Sequence, residues 1–217
     1  MISARLVGPG DVELWGPVRG LAAELGPLWA ALDARPPAAI GLGTSADEVK
    51  GLTEYFVLAA AEPVVPLTAN EHSEIRGLVR FGEVRVPNPA FVELLRWAEA
   101  HGVPVEGLDP SEERAASLFA DHIGYVELVR RTVRERRVAR SPPVTPTPDA
   151  YALAWDGAIA RGRGSRALAA ARDRHLVDGL RRLAADRGRV VAVVDRERFE
   201  RVRELYAAPD SGRPGSA

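Results

Sequence analysis

Cysteine is absent from all 217 residues. Disulfides, thiolate-bound zinc, iron–sulfur clusters and a cysteine nucleophile are thereby excluded. Lysine is nearly absent too: of 29 basic residues only Lys50 is a lysine, and the rest are arginines. No run of 18 apolar residues occurs, so no membrane-spanning helix is expected. The opening residues, Met1 to Gly8, lack the basic-then-apolar order of a signal peptide. These absences point to a soluble, cytoplasmic chain with no membrane partner. What is present is 46% apolar and 27% charged residues, enough for a sizeable core and too ordered a mixture for wholesale disorder. The length suits one α/β domain.

The net charge of −1 conceals an asymmetry. Residues 1–125 carry 9 basic and 18 acidic side chains, and residues 126–217 carry 20 basic and 12 acidic ones. Opposite-signed halves are compatible with intramolecular docking, with a homo-oligomer, or with a basic face for a polyanion.

Hydrophobic spacing predicts alternating strands and helices. Ser3–Val7 reads as a strand closed by the turn Gly8-Pro9-Gly10-Asp11. Pro17–Leu32 has helical spacing with a break at Gly26-Pro27. Ala38–Leu42 is a strand, followed by a helix over Ala46–Ala61 capped by Thr44 or Ser45. A polar helix spans Asn70–Arg80 and a short strand Glu83–Val86. Asn88 caps a helix over Pro89–His101, with Gly102 after its end. Val103–Leu108 is a strand, and a helix follows from Asp109-Pro110-Ser111. Tyr125–Val138 is a basic helix, Ser141–Pro148 a proline-rich loop, and Asp149–Ile159 and Arg166–Arg187 are helices. Arg189–Val194 is a continuous apolar strand, Asp195–Tyr206 a last helix, and 208–217 a disordered tail. The pattern predicts a single compact α/β domain over 1–207, with a largely parallel or mixed central sheet flanked by helices.

Open α/β sheets bind ligands beyond the carboxyl ends of their strands. Four expected strand ends carry suggestive residues: Asp11 with Glu13, Gly41 to Ser45, Asp109, and Asp195-Arg196-Glu197. Carboxylates meeting at one sheet edge bind a divalent cation through oxygen or divide acid and base roles between them. An Asp after a strand also serves as an ordinary helix N-cap, which is the plainer role for Asp109 before Pro110-Ser111-Glu112. The four histidines lack the spacing of a zinc helix. His175 follows Arg172-Asp173-Arg174, and Arg172 and His175 stand at i and i+3 on one helical face. The helix from Tyr125 to Arg140 is rich in arginine but almost free of aromatics, so nucleic-acid binding ranks last among its roles.

Three segments together resemble the TraB/PrgY family, part of a wider group with Tiki proteases, ChaN-like proteins and erythromycin esterases. They are Leu6-Val-Gly-Pro-Gly-Asp11, Trp97 through Asp109, and Ala171-Arg-Asp-Arg-His175 followed by Gly188 through Val194. In the family an Arg–Asp-bearing helix precedes a final strand carrying the second Gly-x-x-His. Arg172 and Asp173 match that helix. Asp11 stands where the first motif has His, and Asp195-Arg196-Glu197-Arg198 has neither Gly nor His. The resemblance therefore implies a degenerate site, in which Asp11 and Asp109 would be the metal-ligating and catalytic carboxylates. Oxygen ligands of that kind favour Mg, Mn or Ca, if any metal is held at all. Arg172, Asp173 and His175 complete the catalytic candidates.

The first functional expectation is a non-catalytic TraB-like relative binding a small molecule or a protein partner. The second is a divergent, metal-assisted hydrolase with a carboxylate-based site. The third is a polyanion or RNA binder using the Arg130–Arg140 helix.

Overall fold

The computed structural model of the protein describes residues 1–57 and 67–208. Five strands form one mixed sheet: β1 (Ile2–Leu6), β2 (Asp11–Gly16), β3 (Ala39–Ser45), β4 (Val105–Asp109) and β5 (Arg189–Val193). Their spatial order is β1-β2-β5-β3-β4. β1 and β2 are an antiparallel hairpin, while β2, β5, β3 and β4 run parallel. The helices are α1 (Gly26–Ala34), α2 (Ala46–Leu52), α3 (Ala69–Leu78), α4 (Pro89–His101), α5 (Glu112–His122), α6 (Tyr125–Arg140), α7 (Pro148–Ile159), α8 (Arg163–Arg187) and α9 (Phe199–Ala207). None of the described helices is long and apolar enough to cross a membrane.

β5 lies at the centre of the sheet, which explains its unbroken apolar run: both of its faces are covered. Val190, Ala192 and Val194 pack with Leu176, Leu180 and Leu183 of α8 and with Phe199 and Val202 of α9. Val191 and Val193 face the other way, onto Leu28 and Leu32 of α1 and Phe91, Leu94 and Leu95 of α4. A third cluster joins Leu78 of α3, Val138 of α6 and Tyr151 and Trp155 of α7 to Val18 and Leu21, which follow β2. Because Val18 and Leu21 lie just past the carboxyl end of β2, this cluster seats three helices over that end of the sheet.

Helix starts follow their capping chemistry. Ser45, Ser111 and Thr147 each accept the N3 amide of the helix they precede. Thr68 and Glu71 form a reciprocal capping box on α3. α8 begins after Gly162 and has no cap of its own. Glu127 of α6 supplies one instead, accepting the amides of Gly164 (3.1 Å) and Ser165 (2.9 Å). That bond ties two helices together through the positive end of the helix dipole.

Several expected elements differ from those observed. β2 begins at Asp11, expected as the last turn residue, and continues through residues for which no strand was expected, because Gly10 adopts φ 73° and closes a tight hairpin. The helix expected from Pro17 begins at Gly26, after a short 3-10 turn. α2 ends at Leu52 and passes into a wider π turn over Thr53–Val57. The rest of the helix expected to Ala61 lies outside the described residues, as does the tail from 209 onwards. The expected strand at Glu83–Val86 is a single bridge, Leu21 to Val84. α9 begins at Phe199, so Asp195 to Arg198 form a turn rather than a helix start.

At Gly107 in β4, a Cβ would fall against the backbone of Ser45 and Ala46. Backbone on both sides cannot give way, so Gly107→Ala is expected to cost about 1–3 kcal/mol through overpacking. Thermal unfolding is the check: the melting temperature should fall by about 2–4 °C for each kcal/mol in a chain of this size.

Candidate functional site

The parallel strands β2, β5, β3 and β4 all point their carboxyl ends into one cleft of about 670 Å³. α3 and α7 form part of its far wall through Glu74 and Asp156. The sheet side is built on buried ion pairs. Asp109 ends β4 with its side chain only 4% exposed, and Asp173 of α8 has its own 2% exposed. Arg198 joins the two: its Nη2 donates to Asp109 Oδ1 (2.9 Å) and its Nε to Asp173 Oδ1 (2.8 Å). Its Nη1 donates to the Gly43 carbonyl of β3 (3.2 Å). Arg201 donates to Asp173 Oδ2 (2.7 Å), and Arg172 donates to Asp109 Oδ2. All four carboxylate oxygens are thus taken by guanidinium donors. Burial disfavours the charge on Arg198, but Asp109 and Asp173 outweigh it and hold the guanidinium above its ordinary pKa.

A second group gathers beside the first. Asp195 follows β5 and accepts from Arg19 Nη2 at 2.9 Å and from Asn88 Nδ2 at 3.3 Å. Asp195 raises the pKa of Arg19, overcoming the opposing effect of burial. Glu197, two residues on, is half-buried in the same cleft. Burial, reinforced by the charge of Asp195, pushes its carboxyl up to about 8, against the pull of its own backbone amide and of Arg19. Burial also raises Glu74 and Asp156, with Arg19 opposing the first shift and Arg201 the second. The cleft therefore holds carboxyls of two kinds. Asp109, Asp173 and Asp195 are fixed by strong donors, while burial raises the pKa of Glu74, Asp156 and Glu197, that of Glu197 up to about 8.

Of the residues expected at the site, Asp109, Arg172 and Asp173 come together here. Ser111, not Asp109, caps α5, and this leaves Asp109 free for the ion-pair network. Asp11 does not join them. The hairpin makes it the first residue of β2, where its register partner is Arg189 at the start of β5. Asp109 pairs with Ser45 at the far end of β3. Asp11 and Asp109 thus sit at opposite ends of the parallel strands, separated by a strand length of roughly 16 Å for five residues. Asp11 is instead held by Arg5 (2.8 Å) and Arg35 (2.7 Å), and these lower its pKa, the Arg5 hydrogen bond most of all. His175 is exposed and is not among the cleft residues. Sharing a helical face with Arg172 leaves it solvated a turn further along α8.

The donor set does not fit a metal centre built on Asp11 and Asp109. Their separation forbids a shared ion, and both oxygens of Asp109 are already bound by guanidinium groups. Among the described residues no three His, Asp or Glu side chains meet in a way that could hold a metal ion.

Sequence reasoning noted Asp195 and Glu197 as a strand end but did not carry them into the site. The signal was an Asp-Arg-Glu-Arg run directly after the most apolar strand. Arg19, Glu74 and Asp156 had no local signal, since they reach the cleft from three separate elements.

No protein-family model and no curated protein matches the chain. Among solved structures it is similar to an erythromycin esterase, EreC, determined as a point mutant in an open conformation. The two share 11% identity with a TM-score of 0.40, over 85% of this chain and 60% of that one. The chain thus spans about 60% of that esterase's length.

Proposed function

We propose that the cleft binds a small polar molecule bearing positive charge and performs general acid–base chemistry of the hydrolytic class on it, with Glu197 handling the proton. The observation behind this reading is Glu197 itself, a cleft carboxyl held near pKa 8 by burial beside Asp195. A carboxyl that is neutral at pH 7 next to a hydrogen-bonded carboxylate is the arrangement by which paired acids divide their roles. A water would add to the acyl carbon while Glu197 donates its proton to the departing oxygen or nitrogen as that bond breaks, and the proton shed by the added water would return to the Glu197 carboxylate. The carboxylate left behind is offset by Arg19, and its raised pKa returns the proton from water afterwards. Ten carboxyl and five guanidinium groups line the cleft, an excess that favours a cationic group on the substrate.

A second reading keeps the cleft and removes the turnover. Its support is the saturation of Asp109 and Asp173 by three arginines, which leaves those carboxylates no free oxygen for chemistry. On this reading the chain is a TraB-like binding protein for the same class of ligand.

A panel of amine-bearing chromogenic esters and amides separates the two, assayed for turnover and for thermal stabilisation of the protein. Turnover that falls at pH above 8, and that drops about 100-fold or more in Glu197→Gln with stabilisation retained, supports the enzyme. Stabilisation without turnover supports the binding protein. Neither response from any compound defeats both.

A further inference from the structure

The outer face of α6 has no partner within the described chain. Val126, Val129 and Val133 fall at i, i+3 and i+7, so they form one row along the helix. They are 46–61% exposed, and Tyr125 at the start of the row is 81% exposed. Arg130, Arg136, Arg137 and Arg140 are exposed around the same row. None of these four arginines forms an ion pair or side-chain hydrogen bond with a described residue. The two glutamates of the helix are engaged elsewhere, Glu127 as the cap of α8 and Glu135 with Arg131 at 2.8 Å. The opposite face is anchored by Val138, packed against α3 and α7. The result is a fixed helix whose free face is aliphatic and cationic, with no carboxylate on it.

We propose that this face docks on an anionic lipid bilayer, the valine row entering the headgroup–acyl boundary and the arginines pairing with lipid phosphates. Lying on a membrane asks less of a helix than crossing one: an apolar stripe flanked by basic side chains suffices. Tyr125 adds a ring with a polar tip, suited to the headgroup level. Four arginines near an anionic surface together raise partitioning about a thousand-fold. Charge complementarity alone would also admit RNA. The row of β-branched aliphatic side chains argues for lipid, because bases need aromatic platforms and only Tyr125 offers one.

Co-sedimentation of the intact chain with vesicles tests this. The probes are vesicles of pure phosphatidylcholine and vesicles with about a third phosphatidylglycerol, at about 0.1 M and about 0.5 M salt. The protein should bind the anionic vesicles at low salt, lose most of that binding at high salt, and leave the neutral vesicles alone. Arg136→Gln with Arg137→Gln should weaken partitioning about thirty-fold. Val129→Ser with Val133→Ser should weaken it as well, and circular dichroism confirms that both variants remain folded. No binding to the anionic vesicles overturns the proposal. So does an unchanged affinity in the serine variant together with equal competition by single-stranded RNA, since the face would then read phosphate alone.

Discussion

Asp173→Ala is expected to destabilise the fold by about 3–5 kcal/mol, measured by chemical denaturation. Asp173 is buried on α8 and holds Arg198 with one oxygen and Arg201 with the other. Its removal leaves Arg198 in a poorly hydrated place with one carboxylate instead of two. Two arginines then share the single carboxylate of Asp109, and a buried charge left short of a partner costs more than the net worth of the pair that held it. The loss spreads because Arg198 also bonds Asp109 and the Gly43 carbonyl, which joins the ends of β4 and β3 to the turn before α9. The double variant Asp173→Ala with Arg198→Ala should therefore recover part of the stability, since the stranded charge leaves with its partner. A loss below about 1 kcal/mol in the single variant, the range of exposed pairs, would show that the network is solvated.

Glu197→Gln should make the protein more stable than wild type at pH 9 and leave it equal near pH 4. Glu197 has an ordinary value of 4.5 and is raised in the fold to about 8 by burial and by Asp195. Below pH 4.5 the group is neutral in both the folded and the unfolded chain and costs nothing. Between the two values the folded protein holds a proton that the unfolded chain has released. Stability therefore falls as pH rises, by at most about 1.4 kcal/mol per pH unit from this group. Above pH 8 the penalty is complete and levels off at about a few kcal/mol, reduced by the solvent that reaches a half-buried side chain. Glutamine has no charge to desolvate, so this part of the slope disappears. Glu74 and Asp156 are raised with the same sign and keep some slope in the variant. Melting curves from pH 4 to 9 decide the matter, and parallel curves for the two proteins would remove Glu197 from its assigned environment.

The two variants concern different parts of one cleft, and they differ in how readable they were. Arg172-Asp173 stood out because it resembles the Arg–Asp-bearing helix that precedes the final strand in the TraB/PrgY family. β5 was legible in its own residues. A central parallel strand must be apolar on both faces, so its burial is written in consecutive residues. The start of α4 was equally plain, since Asn88 caps it and Pro89 opens it, two neighbouring residues.

Asp11 shows where local reading stops. Val7 to Gly10 spell a turn in either case, but whether Asp11 ends one strand's excursion or begins the next depends on pairing with β1. That pairing sends Asp11 to the opposite end of the sheet from Asp109. The acid–base cluster depends still more on distant segments. Arg19 follows β2, Glu74 lies on α3, Asp156 on α7 and Glu197 after β5, and no window of the chain contains two of these four. The raised proton affinities of the three carboxyls come from desolvation by the helices seated over the strand ends, a property of the packed volume, whereas that of Arg19 comes from Asp195 against the effect of burial. Alternation of hydrophobic residues and the chemistry of caps thus sufficed to specify an α/β chain with an apolar central strand. Which carboxyls face one another, and which of them hold their protons more tightly, was decided only when the parallel strands brought their carboxyl ends under a common roof.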